Sequence, residues 1–179
     1  MRLFCCQAHS SAIVPSTIPS FSIVADSATA TGLKWAAPSG GGKVLQVVYF
    51  ETNTFTNSSS GTYADTALTA TITPSAASSK VLVLVTQNGC GKDATNAGTG
   101  LNVRLMRGAT ALQVFGGSVS YTGTANANYV GTVACSYLDS PNTTSATTYK
   151  TQIAVSANNT AFVNVGSEYS SITLLEIGA

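Results

Sequence analysis

Short runs of β-branched and aromatic residues alternate along the chain with clusters of Gly, Pro, Asn and Ser. Several runs carry an apolar residue at every second position, which is the pattern of a strand with one buried face. No window sustains the i, i+3, i+4, i+7 spacing of an amphipathic helix. Nine strands are therefore predicted, at residues 44–50, 68–73, 81–86, 101–107, 110–115, 129–139, 147–155, 161–165 and 171–177.

Residues 81–86 differ from the other runs because their apolar positions are continuous. This pattern predicts a central strand that is covered on both faces. Gly108 and Ala109 predict a tight hairpin between two strands. Short strands at this spacing predict an all-β fold: an antiparallel β-sandwich, jelly-roll-like, with about eight or nine strands and an extended N-terminal arm.

The first 42 residues have a different character from the rest of the chain. Pro15 and Pro19 fix the backbone and remove donors, and the glycines at 40–42 are typical of a flexible joint. We therefore predict an extended N-terminal arm with a Gly-rich linker at 1–42 and a β-sandwich domain at 43–179. Trp35, the sole tryptophan, is predicted to pack this arm onto a neighbour or onto the base of the domain.

The composition favours association over catalysis or nucleic-acid binding. Of 179 residues, 44% are hydrophobic and only 8% are charged, and the net charge is +1. An average soluble domain has roughly 25% charged residues, and near-neutral surfaces resist association poorly. Lys and Arg are scattered, so no nucleic-acid partner is expected. No stretch reaches the ~20 apolar residues of a membrane span, so no membrane insertion is expected.

Candidate chemistry is sparse, and we expect neither an enzyme, nor a cofactor, nor a metal site. His9 is the only histidine and lies in the arm, away from any β scaffold that could position it. The spacing of the seven carboxylates selects no pair, although a glycan-degrading enzyme remains an alternative hypothesis. Cys90 and Cys135 either form a disulfide or remain as buried thiols, and the other two cysteines are neighbours at 5 and 6.

Three connections are long and polar, at residues 52–64, 88–99 and 118–128. Loops of a sandwich gather at its ends, and loops on rigid scaffolds often carry function. Four loop residues offer aromatic and amide contacts to a saccharide or a protein surface. These candidate binding residues are Tyr63, Asn96, Tyr121 and Asn126.

Three stretches of the chain, residues 28–35, 68–83 and 136–150, together with the final run at 171–177, carry a family resemblance. They resemble the C-terminal domains of bacteriophage tail-fibre and related virion proteins. The resemblance covers roughly residues 26–179. Residues 1–25 lie outside it, and they are either a docking arm or the product of a start codon placed within a longer gene.

The resemblance implies a homotrimeric β-sandwich on a virion appendage of the fibre-tip type. Such a domain would attach to other virion proteins through its arm, with Trp35 as the candidate docking residue, and would bind a host-surface glycan or protein through its loops. It would be assembled in the bacterial cytoplasm and function in the extracellular particle. The alternative is a capsid decoration, cement or head-fibre protein that stabilises the shell, which the shortness of the chain favours.

Overall fold

The structure is a computed structural model that describes residues 22–25, 33–36, 42–94, 97–157 and 159–178. The chain divides into two units between Gly41 and Gly42. In the first unit, strand β1 (Ser22–Ala25) pairs antiparallel with strand β2 (Leu33–Ala36). Trp35 lies on β2, opposite Ile23. This two-stranded ladder is not among the strands predicted from the apolar pattern.

The second unit contains ten strands, all paired antiparallel. A 3₁₀ turn at Val165–Ser167 lies between the last two strands. The strands are β3 (Val44–Thr52), β4 (Thr56–Ser58), β5 (Ala64–Ile72), β6 (Lys80–Lys92), β7 (Leu101–Arg107), β8 (Thr110–Val119), β9 (Asn128–Asp139), β10 (Thr147–Val155), β11 (Ala161–Val163) and β12 (Ser170–Ile177).

The eight longer strands form two sheets. The four-stranded sheet has the order β5-β10-β7-β8, and in the larger sheet the order across the first half of β6 is β3-β12-β6-β9. If only these eight strands are counted, from 1 for β3 to 8 for β12, the two sheets have the orders 2-7-4-5 and 1-8-3-6. These orders are those of the double Greek key of a jelly roll. The predicted antiparallel sandwich of jelly-roll type is thus confirmed.

The β7–β8 hairpin follows its predicted geometry. Arg107 pairs with Thr110, and Gly108 takes a φ of 54° in the two-residue turn. A glycine with positive φ at the first central position matches a type II′ turn, whose twist suits the flanking strands.

Strand β6 is central, as predicted, but the expectation that both its faces are covered is wrong for a single copy of the chain. Val81, Val83 and Val85 point into the sandwich and are buried. Leu82 and Leu84 alternate with them and point outward, and Leu84 remains 40% exposed. The continuous apolar run therefore reflects one core face and one apolar outer face.

The core consists of two hydrophobic clusters. The first cluster includes Val83 and Tyr149, and the second includes Cys90 and Ile153. Between them lies a layer of buried polar side chains, which we call the polar layer. Its members are Thr66, Gln87, Thr151, Asn164 and Ser170.

The larger sheet is interrupted at the level of the polar layer. The register of β6 shifts between Gln87 and Cys90. On the neighbouring strands the β structure is interrupted between β11 and β12 and between β3 and β4. Asn164 occupies the break with a φ of 59°, and its amide nitrogen Nδ2 donates to the carbonyls of Thr52 and Glu168 at 2.9 and 2.8 Å. This side chain thus satisfies carbonyls that a continuous ladder would otherwise pair.

Candidate functional site

The topology gathers four connections at one end of the sandwich, which we call the loop end. Strands β3, β6 and β10 end there, while β5 and β9 begin there. The connections span residues 53–63, which include β4, and residues 93–100, 120–127 and 156–160. The three loops predicted from sequence therefore lie at one end together, although β6 and β8 extend farther into two of them than expected.

Backbone hydrogen bonds hold these connections to the strand ends. The amide of Val155 donates to the carbonyl of Ser60 at 3.0 Å, and the amide of Ser156 donates to that of Gly100 at 2.9 Å. The ammonium of Lys92, at the end of β6, donates to the carbonyl of Thr124 at 3.0 Å and is buried. A buried lysine is stable only when its donors are used, so Lys92 fixes the 120–127 connection.

Three aromatic side chains lie side by side on the outer surface of the larger sheet at the loop end. The ring of Phe162 has its centroid 5.9 Å from that of Phe55 and 5.5 Å from that of Tyr129. Phe162 is buried between them, whereas Tyr129 is 63% exposed and Phe55 is 51% exposed. We call this set the aromatic row.

Gly91 forms the floor of the aromatic row. A Cβ atom added there would lie 2.6 Å from Cε2 of Phe162 and 2.8 Å from the carbonyl oxygen of Asn128. The absence of a side chain therefore lets the Phe162 ring lie flat against the sheet. The row presents two exposed aromatic side chains in a fixed arrangement, which suits a ligand with flat apolar surface.

The predicted binding residues occupy different parts of this end. Tyr121 and Asn126 share the 120–127 connection, where Tyr121 is exposed and Asn126 donates to the hydroxyl of Thr124 at 3.2 Å. Tyr63 instead stacks under the guanidinium of Arg104 at 3.9 Å. Asn96 lies outside the described residues, and of Trp35 only the backbone position on β2 is described.

The Tyr63 side chain belongs to a polar network on the outer face of the four-stranded sheet. Arg104 donates from Nε and Nη2 to Oε1 of Gln152 at 2.8 and 2.6 Å, and Gln152 donates to Asp65 at 2.6 Å. Lys150 also donates to Asp65 at 2.6 Å. The hydrogen bonds from Lys150 and Gln152 lower the pKa of the Asp65 carboxyl.

The two cysteines of the sandwich are free thiols, with Cys90 buried and Cys135 half-buried. Burial raises the pKa of Cys90 to about 12 and that of Cys135 to about 11. Both are therefore protonated at neutral pH, and a protonated thiol is a poor nucleophile and metal ligand.

Among the described residues, no three His, Cys, Asp or Glu side chains come together as a metal site would require. Within the same ranges, no helix has the length and apolar character needed to cross a bilayer.

A separate shallow cavity of about 340 Å³ lies at the opposite end of the sandwich, which we call the base end. Its lining includes Arg107, Pro141 and Thr143. Arg107 donates from Nη1 to both carboxylate oxygens of Asp139 at 2.8 Å. The positive charge of Arg107 is therefore neutralised by an ion pair within the chain.

Sequence reasoning missed the aromatic row and the polar layer. Phe55 lay in a stretch interpreted as a polar loop, and Phe162 lay in a predicted strand with no indication of its partners. Only the pairing of β11 with β6, which places Phe162 opposite Gly91, brings the rings together. The sequence Phe-Thr-Asn-Ser at 55–58 and the glycine at 91 carry no local signal of this contact.

Comparisons with known proteins find similarity among solved structures alone. No protein-family model matches the chain, and no curated protein matches it. Among solved structures, the subviral particle of infectious bursal disease virus VP2 is similar at 13% identity with a TM-score of 0.43, over 88% of this chain and 37% of that one. A solved structure of the infectious bursal disease virus Gx strain is similar at 13% identity with a TM-score of 0.40, also over 88% of this chain and 37% of that one. The chain spans well under half the length of these proteins.

Proposed function

We propose that this chain is a structural protein of a bacteriophage virion, a trimeric jelly-roll domain of the fibre-tip type that contacts the host surface through its loop end. The proposal assigns no catalysis to it. The observation that carries the proposal is the gathering of four connections and the aromatic row at one end of a rigid sandwich.

The first and last residues of the sandwich lie at the base end, which supports binding at the loop end and attachment at the base end. Residues 42–44 enter β3 at the base end, and the amide of Gly178 donates to the carbonyl of Lys43 at 2.8 Å there. Both ends of the sandwich therefore emerge opposite the loop end. The segment 1–42, proposed here as the attachment segment, joins the sandwich at the base end.

The chemistry of the loop end favours a neutral ligand with both hydroxyl and apolar faces. Tyr129 and Phe55 supply exposed rings, and Tyr121 and Asn126 on the adjacent connection supply a further ring and an amide. Aromatic and amide side chains of this kind bind through ring contacts and hydrogen bonds without net charge. A host-surface glycan is the ligand class that combines these features.

The first experiment locates the protein on particles. Phage particles are purified, their proteins are identified by mass spectrometry, and an antibody against this chain is imaged by immunogold electron microscopy. Label at the tail tip supports the proposal. Label distributed over the shell would instead establish a capsid-decoration role and overturn the fibre-tip assignment, and absence from the particle would overturn both.

The second experiment measures binding of the purified full chain to host cells. A Phe55→Ala/Tyr129→Ala variant is expected to lose at least tenfold in affinity. Val114→Ala is the control, because Val114 is 55% exposed but lies in the middle of β8, outside the connections of the loop end. Undiminished binding of the double variant would contradict the role of the loop end.

A further inference from the structure

The outer face of the larger sheet carries an apolar row across β3, β12, β6 and β9. The pairing registers place Val47, Leu175, Leu82 and Leu138 in one row across β3, β12, β6 and β9. The neighbouring row contains Tyr49, Thr173, Leu84 and Ser136 in the same strands. We call these two rows the outer apolar face.

Members of the outer apolar face are highly accessible for apolar residues. Val47 is 58% exposed and Leu138 is 53% exposed, and Tyr49 and Leu84 are exposed as well. Single exposed apolar residues are normal on a protein surface, whereas the largest contiguous apolar patch of a monomer is often functional. The strand and residue spacings give this patch an area of roughly 300 Å².

The opposite outer face of the sandwich has the contrasting character. On the four-stranded sheet the corresponding positions carry Asp65, Lys150, Gln152 and Arg104, joined by hydrogen bonds and salt-bridged between Lys150 and Asp65 at 2.6 Å. That face is suited to solvent. The apolar character is therefore a property of one sheet and not of the whole low-charge surface.

The apolar surface continues round the edge of the larger sheet. Strand β3 is an edge strand of nine residues with no proline, and Glu51 is its one charged residue. Val44 and Phe50, at the same edge, are 53% and 40% exposed. A long, flat, apolar edge is prone to association unless another chain or element covers it. By contrast, the edge strand β8 is irregular, with three register shifts against β7.

The charges on this surface do not oppose self-association. Among outward-pointing residues of the four strands that form the two rows, Glu51 and Lys80 carry charge, and they lie toward opposite ends of the strands. Their charges cancel, so two copies meet without net repulsion.

We propose that the outer apolar face and the β3 edge form the contact between copies of this chain. The edge of one copy packs on the face of the next, and three such contacts close around a three-fold axis. A contact between two different patches of the same chain is heterologous and closes into a ring when the rotation permits. Each copy then uses both patches, the outer apolar face against one neighbour and the β3 edge against the other. The inference rests on the trimer in the proposed function and names the surface that forms it.

The test is the mass of the purified full chain in solution, measured by light scattering during size-exclusion chromatography. The wild-type chain is expected at about three times the 18.2 kDa of one chain. Val47→Glu places a charge where the outer apolar face meets the β3 edge and is expected to give a folded single chain. Circular dichroism of each variant verifies that the β-sheet content is unchanged.

Val114→Glu is the matched control. Val114 is 55% exposed on the edge strand β8, opposite Arg104, and therefore lies on the polar outer face. This variant is expected to remain trimeric. A trimeric Val47→Glu variant, equal dissociation of both variants, or a wild-type chain that stays single at high concentration would overturn the proposal. The particle-location experiment is independent of this measurement, so a failure of the virion assignment and a failure of the interface are told apart.

Discussion

Gln87 donates a hydrogen bond from Nε2 to Oδ1 of Asn164 at 3.0 Å, and both side chains are buried. The same nitrogen donates to the hydroxyl of Ser170 at 2.8 Å, and Oε1 of Gln87 accepts from Thr151 at 2.9 Å. Thr151 in turn shares a 2.6 Å hydrogen bond with Thr66. The Gln87 amide thus connects the two sheets through the core, in the one layer where the hydrophobic clusters are separated.

The first prediction concerns this connection. Gln87→Leu leaves Oδ1 of Asn164 without its buried donor, and a buried acceptor left unpaired costs about 1–3 kcal/mol of unfolding free energy. The melting temperature should fall by about 2–4 °C for each kcal/mol lost. Gln113→Leu is the matched control, because Gln113 is exposed on β8 and its change should stay within about 0.5 kcal/mol. Equal stability of the two variants in urea unfolding would show that the polar layer contributes nothing.

The second prediction concerns the floor of the aromatic row. Gly91→Ala puts a methyl group 2.6 Å from the Phe162 ring and 2.8 Å from the backbone oxygen of Asn128, and the backbone atom cannot move freely. Overpacking of this kind destabilises by about 1–3 kcal/mol. Gly117→Ala is the control, because an added Cβ there meets nothing within 4 Å. If the Gly91→Ala and Gly117→Ala variants had the same melting temperature, the Phe162 ring would move aside without loss of stability.

The parts of the fold that were predicted from sequence are those whose signal is local. Residues 101–107 and 147–155 alternate with period two, and β7 and β10 have those bounds. Strand β6 runs six residues past its predicted end at 86, through Gln87, Gly89 and Lys92. Its second half has no apolar pattern because its partners β9 and β11 and the polar layer, which are distant in sequence, stabilise it there.

The site was less predictable than the fold for the same physical reason. The loops were recognised because Gly, Asn and Ser are common in turns, and the jelly-roll order then brings them to one end. Which side chains meet there depends on register: Phe162 reaches Tyr129 only because both lie beside Gly91 in adjacent strands. Tyr63 is a residue type that often contacts ligands, yet its ring packs against the guanidinium of Arg104.

The third prediction concerns the thiols of the sandwich. With pKa values raised to about 12 and about 11, the thiolate fractions of Cys90 and Cys135 at pH 8 are about one in ten thousand and about one in a thousand. In a Cys5→Ser/Cys6→Ser variant, an aromatic disulfide reagent should therefore label native protein far more slowly than unfolded protein, which should react at two thiols. Rapid labelling of the native variant at pH 8 would contradict the burial of these side chains.

The fourth prediction concerns the pH dependence of stability and rests on Glu176. Its side chain is buried and accepts hydrogen bonds from Nε2 of Gln46 at 2.7 Å and from the amide and hydroxyl of Ser75 at 2.7 and 2.6 Å. Burial alone would raise the pKa of Glu176, but these hydrogen bonds to the ionised form outweigh burial and lower the pKa to about 2. Because the unfolded pKa is about 4.3, the ionised carboxylate stabilises the fold above that pH. This contribution is lost as the pH falls from about 5 towards 2.

Glu176→Gln removes this titration. The variant should be less stable than the wild type at pH 7, and the difference between them should shrink as the pH falls from 5 to 3, because only the wild type must then protonate a carboxylate that the fold holds ionised. Urea unfolding at pH 7, 5 and 3 measures the free energies. If Glu176→Gln lost stability as steeply as the wild type over that range, the hydrogen bonds from Gln46 and Ser75 would not be what holds this carboxylate ionised in the folded chain.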